Sequence, residues 1–134
     1  IKQMKKLLQI VLISSLSLLC FSCYYDEIPE GIITVVTDDD VPEIPDTQVV
    51  SFSTEIQPIL NKCTGCHAGN ISPDLRAGNS YNALVPTYVK ADDADNSRLY
   101  NYLPSKGHHD VGLTLSVDEI ALIKAWINQG AKNN

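Results

Sequence analysis

The residues best suited to chemistry in this chain are Cys63-Thr64-Gly65-Cys66-His67. Two thiols three positions apart on one helical turn lie on the same side, and the imidazole of the next residue stands beside them. Sulfurs placed in this way can each add to one of the two vinyl groups at a haem edge, while the imidazole reaches the iron from one face of the ring. Cys-x-x-Cys-His is the attachment pattern of c-type haem for that reason. Small Thr64 and Gly65 leave the ring edge unobstructed. The expectation is one covalent haem c, with Cys63 and Cys66 as the attachment residues and His67 as an iron ligand.

The same side chains have other uses. Cys63, Cys66 and His67, joined by His108 or His109, would make up the four ligands of a structural zinc site. A disulfide framework is the ordinary use of cysteine in an exported protein. A thiol-disulfide redox pair is expected beside a βαβ pattern, which this sequence lacks. The histidine directly after Cys66 is what favours haem over these readings.

A site of this kind needs helices to hold it, and the sequence marks four. Phe52, Ile56, Ile59 and Leu60 recur at three- and four-residue spacing, with Ser51 or Ser53 as N-cap and Pro58 in the early turns, so a first helix is predicted to run into Cys63. A second is predicted around Asn79 to Leu84, ended by Pro86. A third is predicted from Asp95 to Leu103, ended by Pro104. The last is the best marked: Ser116 and Glu119 form a capping box, Ile120, Ile123, Trp126 and Ile127 share a face, and Gly130 stands where a left-handed C-cap residue is wanted. No segment alternates as a strand does. The predicted fold class is an all-α domain with long loops, in which the last helix packs on the first and closes a haem pocket.

Upstream, Lys2, Lys5 and Lys6 precede the mostly apolar run Leu7 to Leu19, whose 13 residues are short for a span that needs roughly 20. Residues 1–22 are therefore predicted to be an export signal. Cys20-Phe21-Ser22-Cys23 closes that run and resembles a bacterial lipoprotein processing site, although Cys20 stands where an aliphatic residue is usual. Lipid attached at Cys23 would anchor the chain to a bacterial membrane, facing the periplasm or the cell exterior. Cleavage without lipidation and an uncleaved anchor are the alternatives. Residues 24 to 48 hold eight acids and no Lys or Arg, with prolines at 29, 42 and 45. Such a segment buries too little to offset its ordering entropy, so 23–48 is predicted to be a solvated acidic tether and 49–134 the domain. Ile32, Ile33, Val35 and Val36 are the alternative, as a short strand. The formal charge of -6 belongs mainly to the tether, because residues 49 to 134 carry eight acids against seven bases. With no clustered basic face, nucleic acid is not an expected partner.

Residues 49 to 134 resemble a small bacterial cytochrome c family found in exported and lipid-anchored proteins. The matching phrases are STEIQPIL at 53–60, CTGCH, Pro73-Asp74-Leu75, Ser80 to Leu84, Asn96 to Tyr100 and Trp126 to Ala131. The resemblance implies a cytochrome c-like helical fold around one covalent haem, electron transfer with a redox partner protein, and Leu75, Leu84, Leu99 and Trp126 as lining or support of the haem pocket. Family members place a Met-Pro-Pro-Gly phrase before the last helix, its Met binding iron opposite the histidine. Here the only methionine is Met4, and Lys106-Gly107-His108-His109-Asp110-Val111-Gly112 stands at that place. If Gly112 replaces the phrase's glycine, His109 replaces its Met; Lys106 is a further candidate, and an open sixth position is the remaining one. The leading expectation is single-electron transfer, in which side chains make no bond to a substrate, so that the chain is a carrier rather than an enzyme. The alternatives are a haem sensor or peroxide-reacting protein with an open sixth site, and a haem-free metal-binding surface lipoprotein.

Overall fold

Local signals along the chain explain where each helix begins and ends. The computed structural model describes residues 35–134, together with Gln3. Apart from Gln3, the segment read as an export signal, Cys23 and the first part of the acidic stretch lie outside the described residues. The described residues are helical and contain no strand, as an all-α reading requires. None of their helices is long and apolar enough to cross a membrane.

Ser51 caps the first helical segment by accepting from the Thr54 amide, while Glu55 reaches back to the Ser51 amide at 2.7 Å. The opening turn, Phe52–Ile56, is wound as a π-helix, and it passes into α1, Gln57–Asn61. Pro58 sits in the first turn of α1, where a missing N–H costs nothing. The free amides of Phe52 and Ser53 are satisfied from the far end of the sequence: Asn134 accepts both, through its side-chain and backbone oxygens, at 2.9 Å each. The second helix, α2, is Ser80–Leu84, as predicted to within a residue.

The third helix is shorter than predicted. α3 spans Arg98–Asn101, because Asp95 and Asn96 are taken into a turn built on Asp93, which accepts from both the Asn96 amide and its side chain. Ser97 completes that turn, its hydroxyl donating to the Asp93 carbonyl at 2.8 Å. The last helix, α4, is Val117–Asn128. Its capping box is complete, with Ser116 Oγ accepting from the Glu119 amide and Glu119 from the Ser116 amide. It ends at Gly130, whose φ of +92° only glycine takes without strain, and the Ala131 amide closes back on the Trp126 carbonyl.

The core forms where α4 meets the π-helical turn. Trp126 packs on Phe52 with ring centroids 5.2 Å apart, and Phe52 meets Tyr81 edge-on at 5.3 Å. Ile56, Leu84, Tyr100, Ile120, Ile123 and Ile127 are fully enclosed around them. Truncating any one of these aliphatic residues to alanine would cost about 2 to 5 kcal/mol. Buried side-chain nitrogen and oxygen atoms are all paired among the described residues. Gln57 is the centre of one such set, accepting from Ser80 Oγ and donating to Asn61 and to the Leu75 carbonyl, which ties α1 to α2 and to the loop between them.

The domain boundary differs from the predicted one near Val49. Val41 is buried and Val36 and Ile44 pack on the core, so the second half of the expected tether belongs to the folded unit. Val35 and Val36 form no strand; the Val36 amide instead donates to the Ser105 carbonyl at 2.8 Å. The physical reason is a charge cluster. Asp38 accepts from the Tyr100 hydroxyl at 2.6 Å and from Lys106 Nζ at 2.7 Å, and Lys106 also lies 3.9 Å from the centre of the Tyr100 ring. An acid that reads as solvated when the segment is taken alone is the counter-charge of a lysine whose side chain is only 9% exposed.

The pH dependence of this contact has a definite sign. Lys106 first, and Tyr100 after it, hold the Asp38 carboxyl below its ordinary value near 3.8, so the contact stabilises fully above that value and is lost as pH falls through the lower folded one. Asp38 is largely exposed, which limits the contribution to about 1 kcal/mol. Asp38→Asn should lower the protection of the Val36 amide against hydrogen exchange and speed cleavage of residues 36 to 48 by protease, and acidification should lower the same protection in the native chain, measured against the unfolded exchange rate at each pH. Unchanged exchange in the variant would show that the segment is held by Val41 and Ile44 alone.

Candidate functional site

The Cys63-Thr64-Gly65-Cys66-His67 motif follows directly on α1. The helical hydrogen bonds continue through it in looser form: the Cys63 amide donates to Leu60, Thr64 to Asn61, and the amides of Cys66 and His67 both to the Cys63 carbonyl. Cys63, Cys66 and His67 are thereby held on consecutive turns. Both thiols are free, Cys63 half-buried and Cys66 exposed. A Cβ built on Gly65 would meet nothing within 4 Å, so the protein's own packing leaves this side of the motif open.

His67 is oriented by its second nitrogen. Its Nδ1 lies 3.1 Å from the Pro73 carbonyl oxygen, and a carbonyl only accepts, so Nδ1 carries the proton and Nε2 presents a lone pair. That is the arrangement by which metal-binding histidines are fixed in tautomer and direction. Pro73 is in turn placed by its neighbours. The Leu75 amide donates to the His67 carbonyl at 2.9 Å, Gln57 holds the Leu75 carbonyl, and Asp74 takes a two-pronged contact from Arg76 at 2.9 and 2.7 Å.

These three residues open onto a cleft of about 640 Å³, a size within the range of about 300 to 1,000 Å³ typical of small-molecule sites. Its walls are mostly apolar. Leu60 comes from α1, Leu99 from α3, Ile123 from α4, and Leu75, Leu103 and Leu115 from the loops. Lys62 and Arg98 are the wall's charged members, and Arg98 lies over the rings of Tyr88 and Tyr102 at 5.5 and 5.6 Å. Of the residues expected to line or support the cleft, Leu75 and Leu99 are in its wall, whereas Leu84 and Trp126 belong to the core. The Trp126 indole N–H donates to the Lys132 carbonyl at 2.9 Å.

The loop after α3 brings both remaining histidines to the cleft, and it does so with His108 ahead of His109. His108 is half-buried and its ring centroid is 6.5 Å from that of His67; His109 is exposed and stacks on His108 at 4.4 Å. His109, the residue expected to face the iron by its distance from Gly112, is therefore the outer of the pair. Lys106, the further candidate, turns away to Asp38 and Tyr100. Among the described residues, no three His, Cys, Asp or Glu side chains converge as the ligands of a bare metal ion would.

Gln57 and Pro73 are the residues that sequence reasoning passed over as contributors to the site. A glutamine among the apolar positions of a helix was the available signal for Gln57. Pro73 stood only within the matching phrase Pro73-Asp74-Leu75, with no role attached, since its backbone oxygen does the work.

The arrangement has a chemistry of its own to test. Burial, with the Glu119 carboxylate adding to it, pushes the Cys63 thiol above its ordinary value of 9.0. A raised thiol is largely protonated at neutral pH and reacts slowly. In haem-free protein, iodoacetamide at neutral pH should label exposed Cys66 before Cys63, read by peptide mass spectrometry. Equal rates would mean that the cleft wall around Cys63 opens in solution.

A scan against protein-family models and searches of curated proteins and of solved structures found no match.

Proposed function

We propose that the chain is a mono-haem c-type cytochrome of an exported, lipid-anchored kind, and that it transfers single electrons to and from a redox partner protein. The observation that carries this reading is the pairing of two free thiols with a histidine whose Nδ1 is fixed by Pro73, all at the edge of one apolar cleft. Export and a lipid at Cys23 rest on the sequence of the first 23 residues alone.

The residues present suit a haem. Cys63 and Cys66 would hold it by thioethers, His67 Nε2 would bind the iron, and the leucines and Ile123 of the wall would cover the ring. Arg98 offers a cation to the carboxylates that a haem carries. Bound there, the group would supply a ferric/ferrous couple whose potential the protein sets through ligands, burial and hydrogen bonds. The chain's own contribution is to keep the imidazole directed, through Pro73, and to exclude water from the cleft with Leu75, Leu99, Leu103 and Ile123.

Full-length chain made in a host with a cytochrome c maturation system should sediment with membranes and show a visible spectrum that changes reversibly with one electron per chain. Cys23→Ser should release that spectrum, unchanged, into the soluble fraction. A membrane-bound but colourless product would sink the haem reading, and a coloured Cys23→Ser variant that stays on the membrane would sink the lipid anchor.

A further inference from the structure

We propose that His108 is the second axial ligand, facing His67 across the site, and that His109 supports it. This rests on the haem reading above and adds to it the residue that replaces the missing methionine.

Three observations carry the assignment. The first is distance. An imidazole nitrogen stands about 2 Å from a first-row metal, so two imidazoles on opposite sides of one ion have ring centroids about 6 Å apart. The rings of His67 and His108 are 6.5 Å apart. The second is tautomer. His108 Nδ1 lies 2.8 Å from the backbone oxygen of His109, just as His67 Nδ1 lies 3.1 Å from that of Pro73. Both acceptors are carbonyls, so in both rings Nδ1 donates and Nε2 keeps its lone pair for a metal.

The third is that the loop carrying His108 is anchored, as a ligand loop must be. A Cβ on Gly107 would stand 2.3 Å from the Asn101 carbonyl oxygen, so only glycine allows the loop to press against the end of α3. The amides of Lys106 and His108 both donate to the Leu103 carbonyl, and Ser105 accepts from Val36. Lys106 is held by Asp38. His109 contributes in two ways, through the backbone oxygen that orients His108 and through a ring stacked on it at 25°. Only the ring is lost in His109→Ala, whereas the orienting carbonyl remains.

Paired imidazoles give a six-coordinate iron closed to external ligands, with a lower potential than a histidine and methionine pair. The test uses holo-protein with haem attached. Native protein should be low-spin in both oxidation states and should not bind carbon monoxide readily. His108→Ala should become high-spin and bind carbon monoxide, and added imidazole should restore the low-spin spectrum. His108→Met should stay six-coordinate with a raised potential, which keeps the test available should the alanine variant mature poorly. His109→Ala should remain low-spin. A native chain with covalent haem that is already high-spin overturns this assignment alone, as does a His109→Ala variant that opens while His108→Ala stays closed. A native chain without covalent haem overturns the haem reading and the assignment together.

Discussion

A carbonyl oxygen can only accept a hydrogen bond, so the contact between Pro73 and His67 Nδ1 decides which nitrogen of that ring is free. Much of the surrounding structure serves to keep that carbonyl where it is. Gln57, buried between α1 and α2, holds the Leu75 backbone, and the Asp74 and Arg76 pair braces the turn from its exposed side. The core beneath, from Phe52 and Trp126 to Ile123, fixes α1 against α4 and so fixes the turn that carries Cys63 and Cys66. Burial supplies the stability, while directional bonds supply the aim.

The opposite side of the cleft is organised by charge. A lysine with little access to water needs a partner, because desolvating it alone is costly. Lys106 finds one in Asp38, which also takes the Tyr100 hydroxyl, and Lys124 stands 4.0 Å from the same carboxylate. Burial, and after it the carboxylate, pushes the Tyr100 hydroxyl upward, so it remains a donor at any physiological pH. The acidic stretch around Asp38, itself part of the folded unit, is thus linked to the loop that carries Lys106 and His108.

What was legible in the sequence followed from local rules. The capping box at Ser116 and Glu119, the glycine stop at 130 and the heptad-like apolar face of α4 each depend on residues within one or two turns, and the structure has them all. The Cys-x-x-Cys-His spacing is local as well. What was not legible depends on residues distant in sequence. Asp38 reads as one of a run of solvated acids until Lys106, 68 positions away, is brought beside it. The order of the two histidines is a further case. Counting back from Gly112 selects His109, whereas the order of the two rings at the cleft, His108 half-buried 6.5 Å from His67 and His109 stacked outside it, depends on how the loop packs and not on spacing. The shortened α3 has the same origin in competition, since Asp93 and Ser97 draw the residues before Arg98 into a turn that a helical pattern does not reveal.

The central claim is a covalent bond, and mass reports it most directly. Tryptic digestion between Lys62 and Cys63 and after Arg76 yields a fragment with both thiols and His67. From protein matured with haem, that fragment should carry the mass of one haem added without loss of hydrogen, since a thiol adds whole across a vinyl group, and alkylating reagents should find no free sulfur on it. A fragment of unmodified mass with two alkylatable thiols, or one lighter by two hydrogens as a disulfide, would contradict the account.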